Sequence, residues 1–329
     1  VQDRPDLPGI GAVIFDEFHE RSLNADLGLA LCLDVAGALR DDLLLVAMSA
    51  TLDAEPVAQV MQAPIVTSEG RAFEVTQHWL PKPLPRQQRF EQSMADLILS
   101  ALSVSEGSLL AFLPGEGEIR RTEAALKPHL PADCGLYPLF GAMEFSAQQQ
   151  AIAPAKQGRK IVLATAIAET SLTIEGIRIV VDGGKSRRAE FDPSSGMSRL
   201  ITTRVTRAEA TQRAGRAGRV APGACYKLWT RGEDGALGAY PPAEIEAGDL
   251  TGFALELAMW GATAADLSFV TPPHEGRLAE AQSVLHMLGA LDGAGRITEH
   301  GRLAPHVKLA QTRTDSQHHI RLTVGHYSR

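Results

Sequence analysis

Residues 12–19 read A-V-I-F-D-E-F-H and decide the fold. Four apolar residues in a row after Pro8-Gly9 are typical of a buried strand in a parallel sheet. Asp16 and Glu17 follow at its carboxyl end, where open α/β sheets bind their ligands. An aspartate there can bind Mg²⁺, and the adjoining glutamate can orient an attacking water. An isolated D-E-x-H is more often a strand that ends in a polar turn, so the interpretation depends on the motifs further along the chain.

Length and composition limit the class of protein. The 329 residues are enough for about two domains. A net charge of -7 argues against a broadly basic surface but allows a local basic patch. Three distant cysteines, Cys32, Cys134 and Cys225, argue against zinc ribbons and disulfides and fit a reducing cytosol, so we expect a cytoplasmic protein. The sequence shows no signal peptide or membrane-length apolar run. It begins with Val1 just ahead of the strand, so we expect a fragment.

The residues after the acidic pair continue an α/β pattern. Ser22 can cap a helix over Leu23–Leu39, and Leu43–Met48 has the composition of a second buried strand. This strand ends in Ser49-Ala50-Thr51, whose hydroxyls can either link neighbouring loops or cap the next helix. Ile65–Thr67 is predicted as a third strand. We place a domain boundary in the linker Ser68–Arg71.

A second α/β pattern follows the linker and predicts another parallel sheet. The predicted helices are Phe90–Ser103, a helix from the Pro114–Gly117 turn to Lys127, and Ser146–Ala153. The predicted strands are Ser108–Leu113, Gly135–Phe140, Lys160–Ala164 and Ile177–Val181. Gly183–Ser186 imitates the end of a phosphate-binding P-loop, but the motif needs glycine at position 179, which is Ile.

Residues 185–219 form the basic part of the chain. Nine basic residues stand against three acidic ones, a balance of +6 in a chain of charge -7. A turn-rich centre between two extended stretches predicts a projecting hairpin. We expect four of its residues to contact the nucleic-acid backbone, although a solvated basic face is the alternative. They are Lys185, Arg187, Arg188 and Arg199.

Two stretches in the second pattern are candidates for phosphate chemistry. Residues 165–175, T-A-I-A-E-T-S-L-T-I-E, carry hydroxyls that can bond phosphate oxygens or cap a short helix. In Gln212–Arg219, arginines recur at every third position, which predicts that they share one side of a helix. Gly215 and Gly218 suggest the close approach of another group, since glycine destabilises a helix interior. Guanidinium groups suit a transferring phosphoryl group, and a surface basic helix is the alternative. Helical patterns over Leu250–Trp260, Arg277–Leu288 and Thr298–Arg302 then predict a small helical domain.

Together these stretches resemble the DEAH-type RNA helicases of superfamily two, closest to their HrpB-like bacterial branch. The resemblance covers about residues 9–302. Its markers are D-E-F-H-E-R at 16–21, S-A-T at 49–51, F-L-P-G-E-G-E-I at 112–119, residues 165–175, and Q-R-A-G-R-A-G-R at 212–219.

The resemblance implies an α/β protein with two RecA-like parallel-sheet domains, the first one incomplete, and a winged-helix-type domain. We assign 1–70 to the first RecA-like domain, 71–235 to the second, 236–306 to the winged-helix domain and 307–329 to an atypical tail. ATP with Mg²⁺ would bind between the RecA-like domains, and the partner would be single-stranded RNA rather than a membrane.

The resemblance also implies roles for single residues. Asp16 and Glu17 would bind Mg²⁺ and orient water, and His19 belongs to the same catalytic set. Ser49 and Thr51 would couple hydrolysis to domain movement. The γ-phosphate would be reached by Gln212, Arg216 and Arg219. Nucleic-acid and coupling contacts would come from Thr165, Thr170 and Thr173, and a ribose contact from Glu175.

The chain departs from the family in two respects. Ala166 stands where family members carry asparagine, and the tail from about Val307 to Arg329 lacks the family's usual pattern. A larger gap is the missing first half of the first RecA-like domain, which would carry the P-loop. Two rival functions stay open. One is a nucleic-acid clamp without turnover, and the other is a metal-dependent nuclease built on Asp16, Glu17 and His19, which would need further carboxylates at other strand ends.

Overall fold

A computed structural model describes residues 1–50, 54–68, 73–85, 87–155, 157–169, 173–192 and 197–303. Its strands are β1 (Ala12–Phe15), β2 (Leu44–Ala47), β3 (Val75–Leu80), β4 (Ser108–Phe112), β5 (Cys134–Leu139), β6 (Arg159–Ala164), β7 (Ile177–Asp182), β8 (Lys185–Asp192), β9 (Met197–Arg204) and β10 (Gly223–Thr230). Its helices are α1 (Leu23–Ala38), α2 (Glu55–Met61), α3 (Phe90–Val104), α4 (Glu116–Leu126), α5 (Phe145–Ile152), α6 (Arg207–Gly215), α7 (Arg231–Gly235), α8 (Glu244–Ala247), α9 (Thr251–Trp260), α10 (Glu275–Met287) and α11 (Glu299–Leu303).

The chain divides into two compact units. The first unit comprises residues 1–66, 189–199 and 242 onward, and the second comprises 67–188 and 200–241. Among the described residues, no helix is both long and apolar enough to cross a membrane. The domain limits inferred from the sequence stay a prediction.

The first unit contains the parallel pair β1–β2, with Ala12 opposite Leu44 and Phe15 opposite Ala47. The predicted strand at Ile65–Thr67 is wrong, because these residues are irregular and Val66 is 89% exposed. Three residues of strand composition do not make a strand without packing on a neighbour. Pro64, just before them, also lacks the N–H that a ladder would use.

Helix α1 follows β1 and packs against helices α9 and α10. Ser22 Oγ accepts from Ala25 N at 3.2 Å and caps the helix, as the sequence predicts. Leu27 and Leu31 of α1 pack in one apolar cluster with Phe253 of α9 and Leu285 of α10. Residues 242–303 therefore share a core with the segment that follows the acidic motif; we call them the helical module.

The second unit is built on a six-stranded parallel sheet with the order β3-β10-β7-β4-β6-β5. Alternate residues of β4 face two helical layers: Leu109 packs with α3 and α4, and Leu110 packs with α5 and α6. The four predicted strands and three predicted helices of this unit are confirmed within one or two residues. The sequence reasoning missed edge strand β3 and its partner β10.

The basic segment forms a separate two-stranded sheet, β8–β9, so the predicted hairpin is confirmed. The helices predicted after residue 250 are confirmed as α9, α10 and α11. An isolated antiparallel bridge joins Leu291 to Ile297. Whether the helical module is a winged helix stays a prediction.

Candidate nucleotide and nucleic-acid site

The acidic pair lies in a tight turn fixed by main-chain bonds. Met48 N donates to Phe15 O, and Phe18 N donates to Met48 O, both at 2.8 Å. Glu17 N donates to Asp16 Oδ1 at 2.8 Å. Glu17 has φ 50° and Arg21 has φ 49°, in the left-handed region that non-glycine residues seldom adopt. Such backbone persists where the surroundings over-determine it, which is common at functional sites.

His19 joins this turn to the loop after β2. Its Nδ1 lies 3.4 Å from Glu17 Oε2 and accepts from Ala50 N at 3.3 Å. Nδ1 can accept from Ala50 only without a proton, and it can donate to Glu17 only with one. The structure therefore brings Asp16, Glu17 and His19 beside Ser49-Ala50 in the first unit. Thr51 lies outside the described residues.

The carboxylates of this turn suit Mg²⁺ only together with another ligand. Mg²⁺ is usually held by one or two carboxylates, waters and substrate phosphates. Asp16 and Glu17 meet that requirement when a nucleotide supplies the phosphates. Within the described ranges, no group of three or more metal-ligating side chains comes together.

The three arginines of the series lie on α6 and the turn that follows it rather than on one helix, and all three bond to the 165–175 stretch. Helix α6 begins with a capping box between Thr206 and Glu209 and ends at Gly215, after which a 3₁₀ turn carries Arg216–Gly218. Glycine favours such an ending because it weakens a helix interior. A Cβ on Gly218 would lie 2.5 Å from Phe73 O, so the predicted close approach is confirmed there. A Cβ on Gly215 would meet no described atom within 4 Å, so the expectation stays a prediction for Gly215.

Arg213 is a structural residue that the sequence reasoning missed. Its side chain is 1% exposed. Nε donates to Glu169 Oε1 at 2.6 Å, and Nη1 donates to Asp182 Oδ1 at 2.9 Å. Burial raises the pKa of Glu169 to about 7, against the opposing effect of Arg213. Asp182 at the end of β7 was the sequence signal that could have indicated a buried basic partner, because buried carboxylates are rarely unpaired.

Arg216 and Arg219 both bond to the 165–175 stretch. Arg216 is buried and donates to the main-chain carbonyl of Glu169. Arg219 is exposed, and its Nη1 donates to Thr173 Oγ1 at 2.8 Å. Gln212 lies on α6 next to Arg213. The structure thus places Arg216 and Arg219, which are predicted to reach the γ-phosphate, against the stretch that holds the predicted coupling residue Thr173.

The rest of the 165–175 stretch is short-range structure. Thr165 O accepts from Ala168 N at 3.2 Å and begins a 3₁₀ turn over Ala166–Ala168. Glu175 is exposed just before β7. Thr170 lies outside the described residues.

The four basic residues expected to contact nucleic acid differ in their surroundings. Lys185 Nζ lies 4.1 Å from the Phe90 ring centroid. Arg187 Nη2 lies 3.4 Å from Glu118 Oε2, and Arg188 Nη2 lies 2.5 Å from Glu209 Oε2. Arg199 lies 3.7 Å from Glu190 and is 68% exposed at its side chain, against 23% for Arg188. Arg199 is therefore far more accessible than Arg188.

The sequence is similar to those of known helicases. Residues 92–221 match the helicase conserved C-terminal domain. The chain is 50% identical over 296 residues to the "ATP-dependent RNA helicase HrpB" of Escherichia coli (strain K12), over 89% of this chain and 36% of that protein. It is 36% identical over 308 residues to the "ATP-dependent RNA helicase DEAH12, chloroplastic" of Arabidopsis thaliana, over 90% of this chain and 17% of that protein.

Solved structures agree with the sequence comparisons. A crystal structure of the E. coli DExH-box NTPase HrpB superposes with a TM-score of 0.83 at 50% identity and covers 92% of this chain and 37% of that one. A crystal structure of the Escherichia coli DEAH/RHA helicase HrpB gives 0.87 at 49%, covering 93% and 39%.

The second unit therefore carries a helicase C-terminal domain of RecA-like fold. The chain is HrpB-like, so the resemblance inferred from its motifs is confirmed. It spans little more than a third of the length of HrpB.

Proposed function

We propose that this chain is part of an ATP-dependent RNA helicase that couples Mg²⁺-assisted ATP hydrolysis to translocation on single-stranded RNA and its unwinding, in the cytoplasm. The observation that carries the proposal is the pairing of motifs inside each unit. In the first unit, His19 bonds to the Ser49-Ala50 loop. In the second, Arg219 bonds to Thr173. A protein that only binds nucleic acid needs neither arrangement.

Each residue of the candidate site would have a separate role in phosphoryl transfer. Asp16 would hold Mg²⁺ with the nucleotide phosphates, and Mg²⁺ neutralises charge on those phosphates when bound. Glu17 orients the attacking water, and its carboxylate is placed by the turn that His19 anchors. Arg216 and Arg219 neutralise the charge that develops on the transferred group, and Gln212 assists them.

Other residues would link hydrolysis to movement along RNA. Ser49, Thr51 and Thr173 respond to the nucleotide, and Glu175 contacts its ribose. Thr165 and Thr170 contact the nucleic acid. Among the basic residues of the hairpin, Arg199 is the strongest candidate for a phosphate contact because of its exposure, whereas Arg188 is held by Glu209.

A clamp without turnover is the second candidate, favoured by the basic hairpin alone. The test uses the chain extended by the coding sequence upstream of Val1, because nothing in this chain supplies a P-loop. Arg219→Ala should lower RNA-stimulated ATP turnover by about 10³-fold or more, as expected for an arginine finger. RNA affinity should change by less than about twofold, because Arg219 is assigned to the nucleotide.

Two further variants complete that experiment. Arg216→Lys should also abolish turnover while keeping a charge in the buried site, because lysine lacks the planar fork of donors. Arg296→Ala is the matched control, since its side chain is 80% exposed in an ion pair with Asp292. Loss of less than about tenfold in both test variants would contradict the roles of Arg216 and Arg219. RNA binding without any turnover in the parent protein would favour the clamp.

A further inference from the structure

Arg21, the last residue of D-E-F-H-E-R, connects the acidic turn to the helical module. Its guanidinium donates from Nε and Nη2 to the two carboxylate oxygens of Asp26, at 2.9 and 3.1 Å. Nη2 also donates to Thr271 Oγ1 at 2.9 Å. Thr271 lies between α9 and α10, so one guanidinium bonds to both α1 and the helical module.

A second link runs through the main chain. Arg21 O accepts from Glu244 N at 3.0 Å, and Glu244 Oε2 accepts from Leu23 N at 2.7 Å. Glu244 begins α8 of the helical module, and Leu23 begins α1. The Glu244 carboxylate therefore accepts from a main-chain N–H in the first turn of α1, which has no partner within the helix and where a negative charge is favourable.

The ion pair at the centre of this link is buried and costly to break. The Asp26 side chain is 1% exposed and that of Arg21 is 20% exposed. Burial raises the pKa of Asp26, and Arg21 opposes that effect. Removing one partner of a buried pair leaves the other charge uncompensated, so breaking this link would be strongly destabilising.

Arg21 lies four residues after Glu17, the residue that we assign to the attacking water. Glu17 and Arg21 bound one turn, and both have left-handed backbone. Arg21 N donates back to Phe18 O at 3.0 Å, which closes the turn. A displacement of Arg21 therefore changes the backbone that places the Glu17 carboxylate. Misplacement of a catalytic group by about 1 Å can lower a rate by about 100-fold.

We propose that Arg21, held by Thr271 and Glu244, is a positioning residue that transmits the position of the helical module to Glu17. A module that shifts when nucleic acid binds would thereby set the orientation of the attacking water. This inference rests on the proposed function for its catalytic consequence, but its structural part can be measured separately.

The test is the Thr271→Val variant of the upstream-extended protein. Valine keeps the shape of threonine and the Arg21–Asp26 ion pair but removes the bond to the helical module. RNA-stimulated kcat should fall about 3- to 10-fold, the loss expected for one hydrogen bond. The KM for ATP and the Kd for RNA should change by less than about twofold, because Thr271 is assigned to neither ligand.

Amide hydrogen exchange provides a readout that does not need catalysis. Exchange in residues 17–26 should become about tenfold faster in Thr271→Val, because the turn loses an anchor. Thr263→Val is the matched control: Thr263 Oγ1 donates to Asp266 Oδ2 at 2.6 Å in the same module without touching Arg21. It should change neither kcat nor exchange in residues 17–26.

The outcomes separate the inference from the function. Unchanged exchange in residues 17–26, or a fall in kcat matched by equal losses in ATP and RNA affinity, would overturn the inference. Absence of RNA-stimulated turnover in the parent protein would overturn the proposed function instead, and the exchange experiment would still decide whether Thr271 holds the turn.

Discussion

The two parallel sheets of the molecule come from similar strand sequences but differ in burial. Strands β4 and β6 are buried almost end to end. In the two-stranded sheet, Ile14 of β1 is 59% exposed and Leu44 of β2 is 61% exposed. An apolar run thus predicts a strand, whereas its burial depends on the elements that cover it. In the second unit, helices cover both faces of the sheet.

The two units also differ in how they hold a buried arginine. In the second unit, Arg213 bridges Glu169 and Asp182 with almost no exposure. In the first unit, Arg21 forms an ion pair with one carboxylate, that of Asp26, and keeps 20% of its side chain exposed. Because desolvation increases with burial, removing Arg213 should be more damaging than removing Arg21.

The largest expected effect is therefore the loss of Arg213. Arg213→Ala should lower the free energy of unfolding of the second unit by about 3–5 kcal/mol, because Glu169 and Asp182 lose their shared partner. Urea unfolding followed by the fluorescence of Trp79 and Trp229 measures this unit, provided that Trp260 of the first unit is replaced by Phe.

Arg178→Ala is the control for that measurement. Arg178 is 38% exposed at its side chain, lies 3.6 Å from Glu106 and donates to Pro222 O at 3.2 Å, so the loss should stay within about 1 kcal/mol. Arg21→Ala should leave the Trp79 and Trp229 transition unchanged. Equal losses in Arg213→Ala and Arg178→Ala would show that the buried cluster is not what stabilises the second sheet.

The next effect compares one leucine from each sheet. Leu110 of β4 is 1% exposed, whereas Leu44 of β2 is 61% exposed. Leu110→Ala should destabilise the second unit by about 2–5 kcal/mol because it leaves a cavity, and Leu44→Ala should cost less than about 0.5 kcal/mol. Native-state hydrogen exchange of β4 and β2 amides measures both. A large loss in Leu44→Ala would mean that the β1–β2 sheet is covered in solution.

Sequence reasoning located the elements more successfully than their environments. The parallel strands of the second unit were predictable because β4, β6 and β7 each contain at least three consecutive apolar residues. Strand β3, V-T-Q-H-W-L, was missed because its polar residues interrupt such a run at the sheet edge. Ile65–Thr67 was overpredicted because β-branched composition does not specify a pairing partner.

In the candidate site, too, the sequence located the residues but not their surroundings. The motif spacing indicated Asp16, Glu17 and the arginine series, but not which arginine would be buried. Arg213 and Arg216 are both buried and bond to Glu169, whereas Arg219, three residues further along, is exposed. The partners of Arg21 and Arg213 lie up to 250 positions away, at Thr271, Glu169 and Asp182. Periodicity within one segment carries no information about such contacts.

The smallest expected effect is a pH dependence confined to the second unit. The pKa of Glu169 is raised by burial from 4.5 to about 7 in the folded chain. Between these values the folded state holds a proton that the unfolded state has lost, so the free energy of unfolding falls as pH rises. Each pKa unit corresponds to about 1.4 kcal/mol, so the total change should be at most about 3 kcal/mol, and the opposing effect of Arg213 is already included in that pKa.

Glu169→Gln isolates that contribution from the other carboxylates near Arg213, which are Asp182 and Glu209. The variant cannot titrate at this position, so the difference in unfolding free energy between parent and variant should vary from pH 4.5 to 7 and be flat above pH 7.5. Urea unfolding of the Trp260→Phe background at several pH values measures it. Glu106→Gln removes a carboxylate that is 91% exposed and should show no such variation. If the difference rises with pH instead, Arg213 stabilises the charged form of Glu169 by more than burial penalises it.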